Sequence, residues 1–119
     1  MSNYYTNQEI REFKYLFGAN FNPYEYGNER SDFSRLNTSL IAKGLANWIK
    51  RYHKLRNEPA EYEGFVDGLS GFSKDSKINF KIIRDLFEFE SKRKELASEL
   101  SKHGIKLTYR YKTITLKEV

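Results

Sequence analysis

The sequence predicts a mainly α, α+β fold: a compact bundle of two long and two short helices closed by a C-terminal β-strand or hairpin. Three observations carry this. Two long stretches repeat their apolar side chains at threes and fours, the spacing of one stripe of a 3.6-residue helix. The C-terminal residues change to a repeat of two, the period of a half-buried strand. Nothing between them has the composition of a linker, so residues 1–119 read as one domain.

Thr6 to Phe17 read as a short helix, with Thr6 or Asn7 as cap, Glu9 and Glu12 in the first turns and Ile10, Phe13, Leu16 and Phe17 as its apolar edge. Gly18 to Arg30 mixes Gly, Asn and Pro with Phe21, Tyr24 and Tyr26, which is turn chemistry with aromatic pegs. Such pegs either pin a loop to its own core or offer rigid contact area to a partner.

The longest helical pattern runs from about Asp32 to about Arg56, with Ser31 or Asp32 as cap and Pro59 beyond its end. Phe33, Leu36, Leu40, Ile41, Leu45, Trp48, Ile49, Tyr52 and Leu55 make its buried stripe. Lys43, Lys50 and Lys54 fall on the opposite side, flanked by Arg35, Arg51, His53 and Arg56. Residues 33–57 hold six positive charges and no negative one. A face of this kind is either a solvated surface favoured by the helix dipole or an electrostatic footprint for phosphates.

Asn57-Glu58-Pro59 restarts a short helix whose apolar face is Tyr62, Phe65, Val66 and Leu69 and whose end is Gly71. Gly64, Gly68 and Gly71 each reduce helix propensity by about 1 kcal/mol, so the segment needs tertiary support or a neighbour that approaches closely, close packing being the favoured reason. Lys74 to Lys77 follow as a polar connector. A second long helix spans about 79–103, capped by Asn79 and stopped by Gly104, with Phe80, Ile82, Ile83, Leu86, Phe87, Phe89, Leu96, Ala97 and Leu100 as its stripe.

In the strand region 105–117, Ile105, Leu107, Tyr109 and Tyr111 alternate with Lys106, Thr108, Arg110 and Lys112. Ile114 and Leu116 continue on the other parity, so the chain bulges or turns back near Thr113, where a tight hairpin would lack Gly or Asn. A strand needs a partner: Met1–Tyr5, Ile78–Phe80, its own hairpin or a second molecule. A homodimer through the C-terminal strand is therefore one expectation.

Charge is blocked along the chain. The net charge of +5 includes four acids without a base over residues 58–67 (Glu58, Glu61, Glu63 and Asp67) and Lys102, Lys106, Arg110, Lys112 and Lys117 without an acid over residues 100–117. The absence of Cys excludes disulfides, thiolate metal sites and a Cys nucleophile, and makes the cytoplasm the expected compartment. No apolar run approaches the ~20 residues that span a bilayer, and the polar, aromatic N-terminus does not resemble a signal peptide.

His53 and His103 lack carboxylate companions at metal-ligand spacing, and neither glycine-rich phosphate loop is present. Gly68-Leu69-Ser70-Gly71 departs from a nucleophile elbow because Phe72 stands where the second glycine belongs. A non-enzymatic binding protein without metal or cofactor is the reading that remains. The first expectation is nucleic-acid association through Lys43, Lys50, Arg51, Lys54 and Arg56, extended by Lys106, Arg110 and Lys112. The alternative is an inhibitor or adaptor of the kind phages and plasmids encode, docking on a charged protein or protein–nucleic acid complex through Phe21, Tyr24, Tyr26, Glu58, Glu61, Glu63 and Asp67. Membrane attachment is disfavoured because the basic helix needs its apolar stripe for the core.

Overall fold

A computed structural model describes residues 5–26, 33, 36–54 and 56–119. Helix α1 spans Asn7–Phe17 and opens with a reciprocal cap. The Thr6 hydroxyl accepts from the Glu9 N–H at 3.0 Å, while the Thr6 N–H donates to the Glu9 carboxylate at 2.9 Å. After Gly18 the aromatic pegs turn inward: Phe21 is buried and stacks flat on Tyr26, with centroids 5.1 Å apart. Tyr24, in a single 3-10 turn over Pro23–Glu25, leans on Tyr5 at 5.2 Å. Phe13 and Phe33 complete this N-terminal aromatic cluster.

Helix α2, Thr38–Lys54, is shorter than the pattern predicts. Asn37 caps it, accepting from the Leu40 N–H at 2.9 Å. The candidate caps Ser31 and Asp32 lie outside the described residues, as do Arg35, Leu55 and residues 27–30 of the preceding loop. Phe33 and Leu36 are buried ahead of the helix instead of on its stripe. Gly44 lets α1 cross closely, since a Cβ there would stand 2.4 Å from the Phe17 ring.

The helix expected after Pro59 is a strand. β1 spans Glu61–Phe65, a 3-10 turn follows over Val66–Leu69, and α3 spans Ser70–Ser76. Tyr62, Phe65, Val66 and Leu69 fit helical spacing, but Glu61 to Phe65 also alternates exposed with half-buried, and pairing with a C-terminal strand decides between the two periods. Lys74 to Lys77, read as a connector, belong to α3 and its left-handed cap, Lys77 at φ 61°. The glycines do admit close neighbours. A Cβ at Gly68 would lie 1.9 Å from the Tyr62 Oη, and one at Gly71 would lie 3.2 Å from the Trp48 ring.

The second long helix is likewise two: α4, Phe80–Glu88, and α5, Glu90–Ser101. Phe89 between them is extended at φ −85°, ψ 121°. Residues 90–95 carry no apolar side chain, so no continuous stripe holds one straight helix to the core across this point. Arg93 folds back over the break, its guanidinium donating to the Phe87 carbonyl at 2.6 Å. Asn79 caps α4 as expected, accepting from the Lys81 N–H at 2.8 Å.

β2, Ile105–Arg110, and β3, Thr113–Glu118, form a hairpin, and β3 lies between β1 and β2 in an antiparallel sheet. The strand thus finds partners within the chain; of the other candidates, Tyr5 and Ile78 are core residues, and Met1 to Tyr4 lie outside the described residues. Leu107 opposite Leu116 and Tyr109 opposite Ile114 share the inner face with Tyr62 and Gly64. The turn has two central residues, Tyr111 at φ 52° and Lys112 at φ 64°. Both are left-handed, as a type I′ turn requires, at a cost of about 1 kcal/mol each for a residue with a Cβ.

β1 is an edge strand whose backbone acceptors are partly occupied. The Glu118 N–H donates to the Ala60 carbonyl at 2.8 Å, so by alternation the carbonyls of Glu61, Glu63 and Phe65 face away from β3. His53 Nε2 lies 3.1 Å from the Glu61 carbonyl, and the Tyr62 hydroxyl donates to that of Phe65 at 2.5 Å. Gly68→Ala is expected to drive Tyr62 off the Phe65 carbonyl and to destabilise the fold by about 2 kcal/mol. Urea unfolding followed through Trp48 fluorescence checks this, and a loss below about 0.5 kcal/mol would show that Tyr62 yields freely.

Candidate functional site

The cations of α2 are not equivalent. Arg51 donates to Glu12 of α1 at 2.5 Å and reaches Asp75 of α3 at 3.5 Å, with its guanidinium over the Tyr15 ring at 5.2 Å. Asp75 also accepts from the Trp48 indole at 2.8 Å, so one carboxylate ties two α2 side chains to α3. Lys50 is half-buried and donates to the His103 carbonyl at 2.7 Å, just past the end of α5. Lys43 is half-buried over the end of α1, its Nζ 3.0 Å from where a Gly18 Cβ would stand. Arg56 reaches Glu58 at 3.9 Å, whereas exposed Lys54 makes no ion pair among the described residues.

A run without acids in sequence is therefore supplied with acids and helix C-terminal carbonyls by other elements in space. Burial, and then the charges of Lys50 and Lys43, hold the His103 imidazole below its ordinary pKa, so it is neutral at pH 7.

The residues considered for protein docking separate into two groups. Phe21, Tyr24 and Tyr26 pack against the N-terminal core. Glu58, Glu61, Glu63 and Asp67 are exposed; Glu58 lies 3.3 Å from His53 Nδ1, and Asp67 sits in the 3-10 turn after β1.

Strand pairing brings the acidic run and the basic tail onto one surface. Across the outer face run three rows: Glu61–Lys117–Lys106, Glu63–Thr115–Thr108 and Phe65–Thr113–Arg110. Glu61 and Glu63 lie on β1, Lys106, Thr108 and Arg110 on β2, and the central β3 carries Lys117 beside Thr115 and Thr113. Lys106, Arg110, Lys112 and Lys117 are exposed, and none makes an ion pair among the described residues. Beside the turn, a cleft of about 490 Å³ opens between Phe65, Asp67, Glu88 and Lys112.

Lys117 and Tyr111 belong to this surface, although residue spacing alone gave them no site role. The signal lay in the parity change after Lys112, which returns Lys117 to the face of Lys106. Among the described residues no cluster of His and carboxylates could hold a metal ion, and no helix is long and apolar enough to cross a membrane. No protein-family model, no curated protein and no solved structure matches the chain.

The position of His103 has a measurable consequence. Its folded pKa lies below that of the unfolded chain, so the unfolded state takes up the proton first as pH falls. The stability it contributes is complete above the ordinary imidazole pKa of about 6.5 and is lost on acidification through that value. Urea midpoints at about pH 7.5, 6.5 and 5.5 should fall with pH in the parent and fall less steeply in His103→Gln. Parallel slopes would remove His103 as the source.

Proposed function

We propose that the chain is a small non-enzymatic nucleic-acid-binding protein that meets phosphates with the outer face of its sheet, led by the hairpin. The observation that carries this reading is the set of four exposed cations, Lys106, Arg110, Lys112 and Lys117, on one hairpin and outside any ion pair among the described residues. Exposed cations not held in an ion pair are the ones that gain by displacing counterions from a polyanion. Arg51 and Lys50, by contrast, are engaged with other elements and Lys43 is half-buried, which leaves Lys54 as the exposed helical contribution to the surface. The threonine column adds hydroxyls suited to phosphate or sugar oxygens.

A second reading draws support from the β1 acids. Glu61 and Glu63 face the same solvent as Lys106 and Arg110, and a surface carrying both signs in separate columns suits an inhibitor or adaptor docking on a charged protein.

Fluorescence polarisation with labelled single-stranded DNA, duplex DNA and RNA, at about 50 and 200 mM salt, separates the readings. With four phosphate contacts, log affinity should fall against log salt with a slope of about −3. Arg110→Glu with Lys112→Glu should weaken binding roughly tenfold or more, while Lys54→Glu on α2 should change it by less than about threefold. Absence of binding to all three at low salt would overturn the nucleic-acid reading and turn attention to the bipolar face as a protein-docking surface.

A further inference from the structure

Tyr111 occupies a position that folding alone does not explain. It is 85% exposed, more than any other large aromatic side chain among the described residues, and so gains little from burial. Its backbone is left-handed at φ 52°, where Asn or Gly is the favoured choice in a two-residue turn. A bulky residue held in a strained conformation and pointed at solvent satisfies neither packing nor turn chemistry. Such outliers gather where a side chain must be presented.

Its neighbours indicate to what it is presented. Arg110 and Lys112 flank it in sequence, and the Arg110 guanidinium lies 5.4 Å from its ring. Lys106 lies about 13 Å back along β2, four residues at ~3.3 Å each, and Lys117 is paired opposite it on the same face. Cations thus run from the tip down the β2–β3 half of the sheet. Phe65, 63% exposed, shares the outer row of Thr113 and Arg110, about two strand spacings from β2. Two exposed rings therefore border a basic track. Glu61 and Glu63 close the other side, so a polyanion is steered along β2 and β3.

We propose that Tyr111 is a stacking platform for an unpaired nucleobase, with Phe65 as a second platform, and that the hairpin tip thereby selects single-stranded nucleic acid over duplex. The proposal rests on the nucleic-acid reading above and names its ligand class. In a duplex the base faces are covered by neighbouring pairs and only phosphates reach the tip. In a single strand a base face is free, and the ring adds to the cationic contacts.

The test uses the full chain, a labelled single-stranded oligothymidine of about ten nucleotides and a duplex of equal length. The same single strand carrying one 2-aminopurine serves as a stacking probe. The parent is expected to bind the single strand more tightly than the duplex and to quench the 2-aminopurine. Tyr111→Asn should weaken single-strand binding roughly tenfold, leave duplex binding within about twofold, and abolish the quenching. Because Asn suits a left-handed turn, the same variant should melt a few degrees higher, so lost binding cannot come from lost folding. Tyr111→Phe should keep both affinity and quenching.

If Tyr111→Asn binds the single strand as the parent does, or if the parent binds single strand and duplex equally, the stacking proposal is overturned while phosphate binding by the hairpin stands. If the parent binds neither, the nucleic-acid reading itself fails and the proposal with it.

Discussion

The two-residue turn at Tyr111 and Lys112 sets Arg110 opposite Thr113, and that register decides which face of the sheet every later side chain occupies. It places Leu107 with Leu116 and Tyr109 with Ile114 against the helices, and Lys106 beside Lys117 in solvent. A slip of one residue in β3 would turn Ile114 and Leu116 outward and bury Thr115 and Lys117. The left-handed backbone at the turn costs about 1 kcal/mol for each of its two residues. Burial decides the contest: Ile105, Ile114 and Leu116 are each fully buried, and each such side chain contributes about 1.5–3 kcal/mol. The core therefore imposes the turn, and the turn arranges the charged outer face.

Charge in the sequence and charge on the surface are differently distributed for the same reason. Glu12 and Asp75 come from α1 and α3 to meet Arg51, and the carbonyl of His103 just past α5 receives Lys50. These contacts act where three helices converge and where aligned carbonyls leave partial negative charge. At the hairpin less compensation is built: Lys106 faces Lys117 and Arg110 faces Thr113, and although Glu61 stands across from Lys117, no hairpin cation closes an ion pair among the described residues. Unsatisfied electrostatics thus moves from the helix, where residue counting finds it, to the sheet.

The fold class, the caps at Thr6 and Asn79, and the alternation of Ile105, Leu107 and Tyr109 were legible because each is a local signal. Two features were not. Glu61 to Phe65 fits both a helical and a strand period, and only its pairing with residues near 115 resolves it. The break at Phe89 reflects what the six residues after it lack as much as what they contain. The hairpin was legible as one of two alternatives, because the parity change near Thr113 signals it and Arg110 facing Thr113 pairs even positions with odd ones; only the tightness of its turn, without Gly or Asn, ran against the local signal. Of the candidate site residues, the four α2 cations from Lys43 to Lys54 fall on the predicted helix, yet spacing along one helix cannot reveal that Glu12 or the His103 carbonyl waits in another element.

The central place of β3 also shapes the order in which the chain comes together. Its hairpin with β2 closes over two residues, whereas Phe65 meets Thr113 only after α3, α4, α5 and β2 have intervened. Loop-closure entropy makes the first pairing immediate and the second dependent on those helices being in place. β1 thus closes the longer loop of the two pairings, and its place in the sheet costs the more chain entropy. Without β1 the sheet would be a two-stranded basic hairpin with the second edge of β3 bare.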